Sequence, residues 1–119
     1  MKEIRCGNTC EVSIRHRRNV IAYTRCSVVK CEIHIKSLFV RKAFRGKGLS
    51  EVLLARVLDF ADEQKAARII SYCGSEPYCQ DGQIPLDQEI AWYEDHGFVF
   101  DHAVKNATPC MRRELSCVV

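Results

Sequence analysis

The chain of 119 residues lacks any long apolar run, and no stretch approaches the roughly 18 consecutive apolar residues of a membrane-spanning helix. That excludes a helical membrane protein. Its first residues, MKEIRCGNTCEVSIRHRR, contain no apolar h-region, so no secretory signal is expected. Cys-x-x-Cys pairs are missing too, although the chain carries eight cysteines. Without export those thiols meet no oxidising compartment, and their density falls short of a small disulfide-built chain. A cytoplasmic protein with cysteines that serve mainly as small buried hydrophobes is expected. Internal repeats, low-complexity tracts and Pro/Gly/Ser-rich linkers are also missing, so residues 1–119 are expected to form one domain.

Charge is plentiful and unevenly placed. Residues 1–47 hold twelve Lys/Arg against three acids, a net +9, whereas residues 48–119 hold six against twelve, a net −6. A basic half suits a polyanion, either nucleic acid or a phosphate-bearing ligand; a solvated basic face is the plainer alternative. The acidic second half argues against a protein that wraps nucleic acid all round.

Cys10–Ile14 alternates as a strand does, and Arg15–Asn19 is a polar turn. The β-branched and aromatic segment Val20–Val29 returns as the second arm of a hairpin. Glu32–Val40 alternates and then becomes continuously apolar, the pattern of a central strand. From Leu49 the period changes: Leu49, Val52, Leu53, Val57, Phe60 and Ala61 follow helical spacing, and the helix is expected to end near Ala67. Arg68–Cys73 reads as a short strand, Gly74–Pro85 as a polar loop, and Leu86–His96 as a second helix stopped at Gly97. Phe98–Phe100 and Met111–Leu115 read as final strands. A strand, a long helix and a following strand predict a right-handed crossover between parallel neighbours.

The most informative segment joins the third of these strands to the first helix. Gly46 and Gly48 flank Lys47 directly before an amphipathic helix, with Arg41, Lys42 and Arg45 close by. Glycine lets backbone approach a ligand closely, and the first amides of a helix point outward beside the positive end of its dipole. Together these features make a diphosphate site, with an ordinary strand–helix turn as the plain alternative. The usual nucleotide loops do not fit. A P-loop lacks its first glycine here, and a dinucleotide fingerprint would need glycine where Glu51 stands.

With this junction in view, the chain resembles the GNAT superfamily of acyl-CoA-dependent N-acyltransferases. That family's signature, Arg/Gln-x-x-Gly-x-Gly/Ala, is matched by Arg45, Gly46, Lys47, Gly48, Leu49 and Ser50, with Ser50 in place of the final small residue. A second segment, Trp92 to Phe98, is similar to the family's Tyr-x-x-x-Gly-Phe motif through Tyr93, Gly97 and Phe98. The resemblance covers about residues 10–115. It implies an α/β (α+β) fold, with a mixed, mostly antiparallel sheet and two main helices. It also implies acetyl-CoA as co-substrate, a primary amine as acceptor and no metal.

Carried over by position, the resemblance assigns the backbone of Leu38, Phe39 and Val40 to the pantetheine arm, and Arg45 through Ser50 to the pyrophosphate. Tyr93 matches the tyrosine that protonates the departing thiolate. His34 stands eleven residues before Arg45, where some histone acetyltransferases of the family place a strand glutamate. His34 and Glu32 share one face of the strand and are the candidate bases. A backbone N–H near Leu38–Val40 is expected to hold the oxyanion, where the strand splays.

Two departures stand out. The asparagine that many members carry seven residues before the tyrosine is Leu86 here. The two N-terminal helices that wall the acceptor pocket are missing, since about nine residues precede the first expected strand. The acceptor side is then open, or supplied by the Gly74–Pro85 loop or by a second subunit in a homodimer. Such minimal members resemble small acetyltransferases of phages and mobile elements, including an anti-CRISPR type that modifies a protein lysine. Glu76, Asp81 and Asp87 suit a cationic acceptor, a macromolecular lysine or a polyamine.

Other readings stand beside this one. Cys6 and Cys10 with Cys26 and Cys31 are a candidate zinc set, and Cys73 a candidate nucleophile. A CoA-binding sensor or scaffold without turnover is the second functional hypothesis. A basic nucleic-acid-binding domain using Arg15, His16, Arg17, Arg18 and Arg25 ranks last, because it lacks aromatic interleaving and any recognisable module.

Overall fold

The computed structural model describes residues 1–72, 86–101 and 110–115. Its strands are β1 (Lys2–Cys6), β2 (Thr9–His16), β3 (Asn19–Val29), β4 (Glu32–Val40), β5 (Arg68–Tyr72), β6 (Val99–Phe100) and β7 (Cys110–Glu114). The helices are α1 (Leu49–Glu63) and α2 (Leu86–Asp95), with one 3₁₀ turn at Lys42–Phe44. The seven strands form one sheet in the order β1-β2-β3-β4-β5-β7-β6. Every neighbouring pair is antiparallel except β4 and β5, which run parallel on either side of the α1 crossover. Among the described residues no helix precedes the 3₁₀ turn, and they form the expected mixed, mostly antiparallel sheet with two main helices.

One face of the sheet carries the core. Cys10, Val12, Ala22, Cys26, Ile33, Ile35, Ile69 and Met111 pack there against Leu53, Val57 and Phe60 of α1 and Tyr93 of α2. Trp92 on α2 donates its indole N–H to Glu51 on α1 at 3.3 Å, so the two helices lie together on this face. The alternate residues, Glu32 and His34 on β4 and Arg68, Ile70 and Tyr72 on β5, belong to the other face. Among the described residues no helix covers it. None of the described helices is long and apolar enough to cross a membrane.

Three boundaries differ from the sequence expectation. β1 is an additional edge strand whose side chains are mostly exposed, so no apolar alternation marks it. It is held instead by its register with β2 and by Arg5, which pairs with Glu63 at the end of α1 and lies 5.7 Å over the Phe60 ring. α1 stops at Glu63 rather than near Ala67. The chain turns left-handed at Lys65 (φ 54°), and the Ala66 and Lys65 amides bond back to Ala61 and Asp62. This is the double bond of a Schellman end, here without the glycine that usually announces it. The turn after β2 is shorter than Arg15–Asn19, because His16 already pairs with Asn19.

The β3–β4 hairpin closes on Lys30 and Cys31, both left-handed at φ 49° and 63°. Two-residue hairpins of this kind favour Asn-Gly, since a Cβ there clashes with backbone. Replacing Lys30 and Cys31 by Asn and Gly is expected to stabilise the fold by about 1 kcal/mol. A higher urea midpoint at unchanged slope would show it.

Candidate active site

β4 and its two ladders position the site. The parallel register with β5 runs from Glu32↔Arg68 to Ile35↔Ser71 and ends there, while β4 continues beside β3 as far as Ala22↔Val40. At the same point β4 carries an extra residue. Arg25 pairs with Ser37 and Cys26 with Ile35, leaving Lys36 as a bulge. The bulge swaps the faces of β4: Ile33 and Ile35 face the helices before it, Leu38 and Val40 after it. Phe39 falls on the open face, its ring 5.8 Å from that of Tyr23.

Beyond Val40 the chain makes the 3₁₀ turn and enters α1 through two left-handed glycines, Gly46 at φ 78° and Gly48 at φ 79°. A Cβ added at either would meet nothing within 4 Å, so backbone conformation rather than crowding requires glycine. Gly48 is the N-cap residue, and no side chain caps the first turn. Arg45 donates its Nε–H to the Val40 carbonyl at 3.0 Å and ties the loop to the strand end. The Lys47 ammonium lies 5.4 Å over the Phe44 ring.

On the open face a chain of polar contacts leads along the sheet. Tyr72 Oη lies 2.8 Å from His34 Nδ1, and His34 Nε2 lies 3.4 Å from Glu32 Oε1. Arg68 donates to Glu32 Oε2 at 2.8 Å and approaches Glu114 at 3.4 Å. The Arg68 hydrogen bond holds the Glu32 carboxyl below the usual glutamate range, aided by His34 and opposed only by partial burial.

The acetyltransferase (GNAT) family model matches residues 4–98. The chain belongs to the GNAT acetyltransferase family. No curated protein compared with it matches. Its fold resembles that of the PaiA N-acetyltransferase from Thermoplasma acidophilum in complex with coenzyme A, at TM-score 0.72 and 9% identity, covering 91% of this chain and 62% of that one. It also resembles a GNAT-family acetyltransferase from Staphylococcus aureus (TM-score 0.71, 18% identity, 91% of this chain and 68% of that one). A third is a GNAT acetyltransferase from Elizabethkingia anophelis with acetyl-CoA bound (TM-score 0.68, 12% identity, 91% and 77%). The chain thus spans less than two thirds of the Thermoplasma enzyme.

In this GNAT chain the expected residues fall on different parts of the fold. Glu32 and His34 meet on the open face, and Arg45 through Ser50 form the loop that opens α1. Tyr93 lies apart from the bases: it is buried to 3% exposure in the helix layer, edge-on to the Phe98 ring at 4.9 Å. Tyr72 and Arg68 escaped the sequence reading. Alternation placed both on one face of their strand, but only the parallel register sets them beside His34 and Glu32.

The cysteines are divided. Cys10 and Cys26 pair across β2 and β3 in the core, and Cys110 is buried, whereas Cys6 and Cys31 are exposed and do not act as core hydrophobes. That split separates the four thiols of the candidate zinc set. Among the described residues no cluster of His, Cys, Asp and Glu is placed to hold a metal ion. Burial pushes the Cys26 thiol up to about 12, so it stays protonated. Cys73, Glu76, Asp81 and the Gly74–Pro85 loop lie outside the described residues.

A carboxyl with a lowered folded pKa stabilises the fold above its unfolded value and loses that contribution as pH falls through the folded one. The Glu32–Arg68 pair is therefore fully effective at neutral pH and lost in acid, below the ordinary glutamate range. Glu32→Gln is expected to lower Tm at pH 7 and to shrink its fall on acidification, measured by calorimetry across that window.

Proposed function

We propose that this protein is, as a single domain over residues 1–119, an N-acetyltransferase that moves the acetyl group of acetyl-CoA to a primary amine by direct attack. The acceptor is a protein lysine or a small amine or polyamine. The observation that carries the reading is the Gly46–Gly48 turn, which opens α1 at the end of a strand whose ladder to β5 has already stopped.

The loop fits a pyrophosphate. Left-handed glycines with open space beside them let phosphate oxygens reach the first amides of α1. In this reading Arg45, Gly46, Lys47, Gly48, Leu49 and Ser50 bind the pyrophosphate, and the backbone of Leu38, Phe39 and Val40 lies along the pantetheine arm as an added strand would. A backbone N–H of that stretch receives the oxyanion.

Acetyl-CoA supplies an acyl group already activated as a thioester, and the chain's own residues handle the protons. A lysine-type amine, with a pKa near ~10.4, is mostly protonated at neutral pH; its neutral fraction attacks, and a base takes the N–H proton that attack makes acidic. His34 is that base, with Glu32 behind it, and Tyr93 returns a proton to the leaving thiolate. Direct attack requires no metal. The reading includes a cytoplasmic location.

Acetyl-CoA at a hundred times its Kd should stabilise the protein by about 2.7 kcal/mol. Gly48→Ala, which forces a Cβ into left-handed backbone, should abolish most of that gain. Absence of any rise in Tm with the wild-type chain would sink the cofactor reading. Incubation with labelled acetyl-CoA and panels of amines and host proteins, read by mass spectrometry, then identifies the acceptor. Tyr93→Phe should slow transfer by about 10²-fold or more with the acetyl-CoA-induced rise in Tm retained. A rise in Tm with no product from any acceptor would favour a CoA-binding sensor or scaffold instead.

A further inference from the structure

His34 is engaged at both ring nitrogens. Its Nε2 faces the Glu32 carboxylate at 3.4 Å and its Nδ1 faces the Tyr72 hydroxyl at 2.8 Å. Glu32, bonded to Arg68 at 2.8 Å, is ionised and can only accept, so Nε2 carries the ring hydrogen. When the ring is neutral, its lone pair is then at Nδ1, and the Tyr72 hydroxyl donates into it. Burial pushes that hydroxyl up, with Cys110, Glu32 and Asp101 acting in the same direction, so it remains a donor at neutral pH.

Position in the sheet gives this order a direction. His34 sits inside the β4–β5 ladder, opposite Ile70, with only 15% of its side chain exposed. Tyr72 is the next residue after the last pair, Ile35↔Ser71, and stands where the strands part. An amine approaching a thioester held at that gap meets the Tyr72 oxygen before the imidazole. Resting on the acetyltransferase reading above, we propose that Tyr72 is the catalytic residue touching the acceptor amine, and that it passes the amine's proton to Nδ1 of His34.

The step balances without any further reactant. The amine nitrogen adds its lone pair to the thioester carbonyl carbon, forming the C–N bond. One N–H proton moves to Tyr72 Oη as the proton of Tyr72 moves to His34 Nδ1. The resulting imidazolium faces the Glu32 carboxylate, which stabilises it. The C–S bond then breaks with its electron pair on sulfur, and the thiolate takes a proton from Tyr93. His34 returns its proton to solvent through Tyr72, and Tyr93 regains one from solvent, so the cycle consumes no net proton. Glu32 and Arg68 are positioning residues here: they set the tautomer and orientation of the ring.

Among the described residues, charged and titratable groups surround this relay. Lys36 on β4 lies with its ammonium 5.5 Å over the Tyr72 ring. Arg68 on β5 holds Glu32, Cys110 on β7 pairs with Tyr72, and Arg112 on β7 and Asp101 after β6 lie beyond. On the β3 side His34 is opposite Ser27, which carries no charge.

The test uses full-length wild type, Tyr72→Phe, His34→Gln and the double variant, with spermidine and poly-lysine as acceptors and CoA thiol release as the rate. Each single variant is expected to lose about 10²-fold in kcat with its acetyl-CoA-induced rise in Tm intact. The double variant should lose no more than either single one, because both remove the same relay. The rise of kcat/KM with pH on the acid side should flatten in both single variants, which a merely structural tyrosine would not cause. In the ligand-free protein, nitrogen-15 NMR should show His34 as the Nε2–H tautomer, with an Nδ1 signal that moves in Tyr72→Phe. Unchanged rates in Tyr72→Phe, losses that multiply in the double variant, or an Nδ1–H tautomer would each overturn the relay. A wild-type chain that binds acetyl-CoA but transfers to neither amine nor to host proteins would overturn the acetyltransferase reading, and the relay with it.

Discussion

β4 carries ladders on both of its edges, antiparallel to β3 along nearly its whole length and parallel to β5 only from Glu32 to Ile35. A parallel neighbour cannot follow by a tight turn, so α1 must cross over between the two strands. β4 runs on alone beside β3 from the end of that short ladder to Val40, and the 3₁₀ turn and the glycine turn follow before α1. The Lys36 bulge sits at the end of the ladder and re-aims the strand. Before it, Ile33 and Ile35 serve the core and Glu32 and His34 the open face; after it, Leu38 and Val40 take over the core side.

The sheet divides the chemistry. Both helices pack on one face, and Tyr93 is buried there against Phe98. The polar contacts Tyr72–His34–Glu32–Arg68 lie on the other, where no described helix covers them. A continuous ladder keeps the two sets apart, because its backbone groups are spent on each other. In the proposed function, a ligand anchored at the mouth of α1 reaches groups from both faces only where that ladder has ended. In the reaction proposed above, a base from one face removes a proton from the amine and an acid from the other returns one to sulfur.

Much of this was legible in the residues. Helical spacing after Leu49 and alternation in the strands gave the element order, and Gly97 marked the end of α2 at φ 87°. Local motifs marked the glycine turn because its conformation is a property of adjacent residues. The misses have equally local causes. Lys2–Cys6 has too little apolar content to read as a strand and depends on Arg5 reaching Glu63 and Phe60. Lys65 adopts the left-handed conformation without being glycine, so the helix stop was invisible. Cys6 and Cys31 were expected to be buried, yet they stand at hairpin ends.

By itself the sequence determined the class of fold, the place of the glycine turn that opens α1 and the pairing of Glu32 with His34 on one strand face. These follow from periodicity and from residues close together in the chain. The tertiary structure decided which residues of β5 stand beside them. Parallel register is set by how α1 packs its apolar stripe onto the sheet, and no turn of fixed length specifies it. A slip of one residue would have turned Arg68 and Tyr72 into the core and left His34 without either neighbour. The observed register, Glu32↔Arg68 through Ile35↔Ser71, makes a histidine on a strand into the middle of a chain of proton-carrying groups.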